Sequence, residues 1–93
     1  LSPVTASLTP ALGELSLNQP YASYARKAMG SAAFTVLANV SGQPAITLPL
    51  GMSDNGLPVG MMFTARLGAE DVLLRLASQL EQDRPWVARR AVI

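Results

Sequence analysis

Ser23 and Lys27 stand four residues apart in a stretch of helical character, so they share one helix face. Serine beside lysine is chemically competent as nucleophile and base. A solvated helix face has the same appearance, and Arg26 next to Lys27 makes this face wet and basic, whereas a working lysine base is buried. The solvated reading is preferred. Gly30-Ser31 lacks the Gly-x-Ser-x-Gly pattern of a nucleophile elbow, and Ser41 is expected to hydrogen-bond at a helix end. Asp54 is a turn residue without the oxygen-ligand company a cation needs. Glu70 and Asp71 are adjacent on a helix and point apart, so they make no shared acid/base site. Met61 and Met62 read as strand packing. The expected assignment is therefore no catalytic residue, no metal ligand and no cofactor within this chain.

Composition narrows the classes further. The 93 residues allow one small domain, with 49% apolar and 14% charged residues, against about 25% charged in an average soluble domain. Such faces are meant to be covered by something else. A net charge of +1 with dispersed Arg gives no basic footprint for nucleic acid. The absence of Cys and His removes disulfides, thiolate nucleophiles, imidazole bases and the usual zinc ligands. The charge-free run over residues 28–53 has the length of a membrane span, but Pro44, Pro49, Gly42, Asn39 and Gln43 place too many polar and breaking groups in it, so it reads as buried in protein. Without an initiating Met or a targeting segment, the chain is expected to be a processed piece of a cytoplasmic protein.

The elements that carry these residues follow in order. Residues 1–19 read as a strand end, an extended Ser/Thr/Pro-rich segment and a connecting loop. One helix is expected over residues 20–42, with Asn18 as N-cap, Pro20 in the first turn, an apolar and buried second half, and a close packing contact at Gly30. Gly42 suits a left-handed cap. Residues 45–65 predict an antiparallel hairpin turning at Ser53, Asp54, Asn55 and Gly56, with Pro49 marking a strand end or bulge. The spacing of Val72, Leu73, Leu76, Ala77 and Leu80 predicts an amphipathic helix over 69–83, followed by a mobile tail over 84–93 that Trp86 anchors. The fold class is α/β, two main helices on an antiparallel hairpin with an N-terminal strand stub. Its open sheet edges carry little charge, which favours self-association of the isolated chain.

Phe34-Thr35, Asn39, Gly42-Gln43-Pro44-Ala45-Ile46, Leu48-Pro49, Gly56-Leu57-Pro58-Val59-Gly60, and Leu74 with Ala77 and Glu81 resemble the C-terminal segment of the amidase signature family of serine hydrolases. Leu1-Ser2-Pro3-Val4 is similar to the end of a preceding core strand, and Arg84-Pro85-Trp86 to the tail after the last helix. Within the family the chain also resembles bacterial aryl-amide and cyclic-oligoamide hydrolases.

The resemblance implies an enzyme that cleaves carbon-nitrogen amide bonds through a serine nucleophile activated by a second serine, on a cis peptide bond, and a lysine. Those residues lie upstream in the family and have no counterpart here, so the resemblance implies a chain inactive alone, whose partner is the remainder of the amidase. In the glutamine-tRNA amidotransferase branch an acidic residue that reads the substrate's amino group lies two positions before the Phe-Thr pair. Ala32 stands there, which disfavours glutaminase activity. Phe34 and Thr35 are the candidates for bordering a substrate pocket, with plain core packing the competing reading. The alternative from another class is a small self-associating structural or binding module that pairs through an exposed β-edge.

Overall fold

The turn sequence Ser53-Asp54-Asn55-Gly56 organises the sheet. In a computed structural model, which describes residues 1–91, it joins β2 (Ala45–Met52) to β3 (Pro58–Thr64) as an antiparallel hairpin. The Ser53 amide donates to the Leu57 carbonyl at 2.8 Å, the Gly56 amide to the Ser53 carbonyl at 2.9 Å, and the Ser53 hydroxyl accepts from the Leu57 amide at 3.0 Å and donates to Asn55 Oδ1. Gly56 takes φ 79°, open to glycine at no steric cost. The two-residue β1 (Ser2–Pro3) pairs antiparallel with the other side of β3, giving the order β1-β3-β2.

Register runs from Ala45 opposite Thr64 to Leu48 opposite Met61, breaks, and resumes with Gly51 opposite Val59. The break contains Pro49, which has no N–H to give the ladder, so the strand bulges where proline forbids regular pairing. Of the two strand glycines, Gly51 and Gly60, the second is the more crowded. A Cβ there would lie 2.8 Å from Thr47 Cγ2 and 3.0 Å from Val4 Cγ2, so only glycine lets these neighbours close over β3.

Helix α3 (Glu70–Asp83) packs against β2, with Glu70 and Asp71 in its first turn, where the dipole favours negative charge. The expected single helix over 20–42 is instead two, α1 (Tyr21–Ser31) and α2 (Thr35–Ser41). The break follows Gly30-Ser31, a pair at which helices kink, and hydroxyls compete for backbone carbonyls on both sides. Ser31 Oγ donates to the Lys27 carbonyl at 3.1 Å and Thr35 Oγ1 to the Ala32 carbonyl at 3.2 Å. Pro20 itself occupies the N-cap position of α1 and no side chain caps it, so Asn18 does not serve as cap. Gly42 ends α2 at φ 71°, its amide bonded to the Ala38 carbonyl at 3.0 Å.

Two further expectations are corrected. A Cβ at Gly30 would meet nothing within 4 Å, so no close contact explains that glycine. Neither α1 nor α2 holds a buried residue, although their sequence is that of a buried helix. Among the described residues the buried apolar positions are Leu48, Met62, Ala69 and Leu73, belonging to the sheet and the α3 end of the chain. The radius of gyration is 15.4 Å, against about 12 Å for a compact chain of this length. The accessible surface of 6970 Å² exceeds by about 1,800 Å² that of a typical folded monomer of 9.8 kDa.

One residue of the tail makes a long-range contact. Arg89 reaches back to the β2 bulge, donating through Nη2 to the Pro49 carbonyl at 3.2 Å and through Nη1 to the Leu50 carbonyl at 3.5 Å. The last two residues of the expected tail, 92 and 93, lie outside the described residues.

Candidate functional site

The Ser23 and Lys27 side chains meet at a third residue. Gln19 lies two residues before the start of α1, and its Oε1 accepts from Ser23 Oγ at 3.2 Å and from Lys27 Nζ at 3.3 Å. Its Nε2 donates to the carbonyls of Ser16 at 2.6 Å and Glu14 at 3.0 Å, and Lys27 Nζ adds a 3.4 Å contact to the Glu14 carbonyl. A serine nucleophile needs its proton aimed at a base within hydrogen-bond reach. Here the Ser23 proton points at an amide oxygen, and exposed Lys27 acts as a donor in both of its contacts. The cluster tethers the loop over residues 11–19 to α1. The structural part played by Gln19 was not foreseen, although its spacing to Ser23 and Lys27 puts all three on one line of a helix surface.

The other polar candidates are equally local. Ser41 Oγ donates to Gln43 Oε1 at 3.3 Å and accepts from the Gln43 amide at 3.3 Å, as a helix-end hydrogen bonder does. Asp71 pairs with Arg75 across one helical turn at 2.8 Å on an exposed surface, and Glu70 takes no part. Asp54 is exposed in the hairpin turn. Among the described residues no group of three or more acidic, His or Cys side chains is placed to hold a metal ion.

Phe34 is half-buried at the start of α2 and lines a cleft of about 270 Å³ with Leu1, Leu37, Gln43, Met62 and Thr64. Strand alternation sets Met62 and Thr64 on one face of β3, so this cleft lies between α2 and the sheet. Thr35 does not line it, and its hydroxyl is engaged with the Ala32 carbonyl. A second groove, of about 400 Å³, runs between the segment over residues 5–9 and the hairpin, lined by Thr5, Ser7, Leu57, Val59 and Met61 among others. Neither hollow is lined by a titratable side chain. No helix among the described residues is long and apolar enough to cross a membrane.

Comparison with known proteins shows where this arrangement of helices and sheet belongs. The family model described as Amidase matches residues 1–74. The chain is 51% identical over 86 residues to a putative amidase AmiC of Mycobacterium leprae, covering 92% of this chain and 18% of that protein. It is 46% identical over 94 residues to the 6-aminohexanoate-cyclic-dimer hydrolase of Paenarthrobacter ureafaciens, covering 95% of this chain and 19% of that protein. The solved structure of a 6-aminohexanoate cyclic dimer hydrolase superposes on it with a TM-score of 0.85 at 46% identity, over 96% of this chain and 20% of that one. The chain thus spans about a fifth of the length of the relatives it matches, and carries the corresponding part of their α/β fold. With this agreement in sequence and fold over nearly all of its length, the chain belongs to the amidase family.

Proposed function

We propose that these residues are the C-terminal α/β part of an amide hydrolase whose Ser–cis-Ser–Lys machinery lies in the remaining four-fifths of the protein, and that they have no hydrolytic activity alone. The observation that carries this reading is the combination of near-complete coverage of this chain with coverage of only 18–20% of its relatives. The engagement of Ser23 and Lys27 with Gln19, rather than with each other, supports it.

The substrate is a neutral amide. Two features favour this: Ala32, without charge at the position two before Phe34, and the 46% identity to a hydrolase named for the cyclic dimer of 6-aminohexanoate. In the assembled enzyme Phe34, which lines the cleft beneath α2, and its neighbour Thr35, which does not, border the substrate pocket. The test is hydrolysis by the product of the complete coding sequence. Cyclic and aryl amides should be cleaved at least tenfold faster than glutamine, and equal or faster release of ammonia from glutamine contradicts the assignment.

A self-associating module is the second reading, supported by β1 and β2 standing as unpaired edges of the sheet. Size-exclusion chromatography with light scattering separates the two. A discrete symmetric dimer of the isolated chain favours the module, and a polydisperse sample favours a part of a larger fold.

A further inference from the structure

The hairpin turn holds the one asparagine of this chain that is followed by glycine. Asn18, Asn39 and Asn55 are all exposed, and they differ in the next residue, which is Gln19, Val40 and Gly56 in turn. Asparagine is thermolabile because the amide nitrogen of the following residue can attack its Cγ and close a five-membered imide, so the bulk and freedom of that residue govern the rate. Gly56 has no side chain, a Cβ built there would meet nothing within 4 Å, and its backbone at φ 79° has the latitude of glycine. Asn39 instead lies inside α2, where the helical backbone turns the following N–H along the helix axis and β-branched Val40 crowds it. Asn18 precedes Gln19, whose side chain is tied to the Ser16 and Glu14 carbonyls.

The turn adds one aid and one restraint. Ser53 Oγ donates to Asn55 Oδ1, the oxygen that gathers negative charge when Cγ is attacked, although the same hydroxyl also reaches the Leu57 carbonyl at 3.1 Å. The Gly56 N–H donates to the Ser53 carbonyl at 2.9 Å, and that bond must open before the nitrogen can lose its proton.

We propose that Asn55 is a site of spontaneous deamidation in the native protein, with water as co-reactant, and that the hydrogen bond from the Gly56 amide to the Ser53 carbonyl is its gate. In the first step the Gly56 nitrogen gives its proton to solvent and bonds to Asn55 Cγ. The bond from Cγ to the side-chain nitrogen breaks, and that nitrogen takes up a proton and leaves as ammonia. In the second step water adds to one of the two imide carbonyls and the C–N bond there breaks, its nitrogen regaining a proton. Opening at Cγ leaves aspartate, and opening at the Asn55 main-chain carbonyl leaves isoaspartate, with the backbone rerouted through the side chain. Either product sets a new negative charge beside exposed Asp54. No step depends on the amidase reading.

The test keeps the complete protein for weeks in mildly alkaline buffer, beside a synthetic peptide of residues 50–60, and reads initial rates at each asparagine by peptide mass spectrometry. Asn55 should convert at least tenfold faster than Asn18 or Asn39 and yield both aspartate and isoaspartate, the signature of the imide. The peptide should convert at least threefold faster than the native protein, since nothing holds its Gly56 amide, and the difference should vanish when the protein is kept in guanidinium chloride. Conversion at Asn55 no faster than at the other two asparagines, or to aspartate alone, overturns the site. Equal rates in the peptide and the native protein overturn the gate.

Discussion

Arg89 donates a 3.2 Å hydrogen bond to the carbonyl of Pro49, forty residues earlier in the chain, at the bulge where β2 loses its register with β3. With the companion contact to the Leu50 carbonyl, one guanidinium spans two successive acceptors in the irregular part of the strand. Proline creates the irregularity and a planar five-donor fork fits it.

Replacing Arg89 by Ala should therefore lower stability by about 1 kcal/mol, a modest figure because both contacts are exposed to solvent. Arg89→Lys should restore only part of the loss, since an ammonium is a point donor and does not span both carbonyls. Urea unfolding of the three proteins measures this, and identical midpoints would show that the contact contributes nothing.

Gly60 should tolerate no side chain. Gly60→Ala places a Cβ within 3.0 Å of both Thr47 Cγ2 and Val4 Cγ2 and is expected to cost about 1 to 3 kcal/mol. Thr47→Ser removes one of the two obstructing methyls, so the double substitution should recover part of the loss. Strict additivity of the two single changes would place the strain elsewhere.

Gly30 and Gly42 should respond in opposite directions to the same change. Gly30→Ala enters open space near the end of α1 and should stabilise by up to about 1 kcal/mol. Gly42→Ala forces a Cβ into a left-handed residue at φ 71° and should destabilise by about 1 to 2 kcal/mol. Thermal unfolding of the pair reads the sign directly, and a shift of the same sign in both would refute the account of α2's end.

The sequence made some of these elements easy to read and hid others. Asn55-Gly56 and Pro49 are strong local instructions, so the hairpin, its turn and its irregular point were visible without coordinates. The break between α1 and α2 was not read, because Ala32 and Ala33 are good helix formers and the cause lies in Gly30-Ser31 and in hydroxyls bonding backwards. The apolar second half of the predicted helix reads as buried, yet neither α1 nor α2 holds a buried residue, because apolar composition alone does not say what a face packs against. The contact of Arg89 with Pro49 is not legible in the sequence, because a contact across forty residues leaves no periodic trace. At the candidate site, Ser23 and Lys27 do share a face, yet spacing alone could not show that Gln19 takes the hydrogen bonds of both.

The proposal that this chain is an inactive part of an amide hydrolase is tested by the rate at which the purified 93-residue chain hydrolyses aryl and cyclic amides. The expected result is a rate equal to the buffer blank, unchanged by Ser23→Ala or Lys27→Ala. Turnover above the blank that either substitution abolishes would contradict the account and make the Ser23–Lys27 pair a catalytic site.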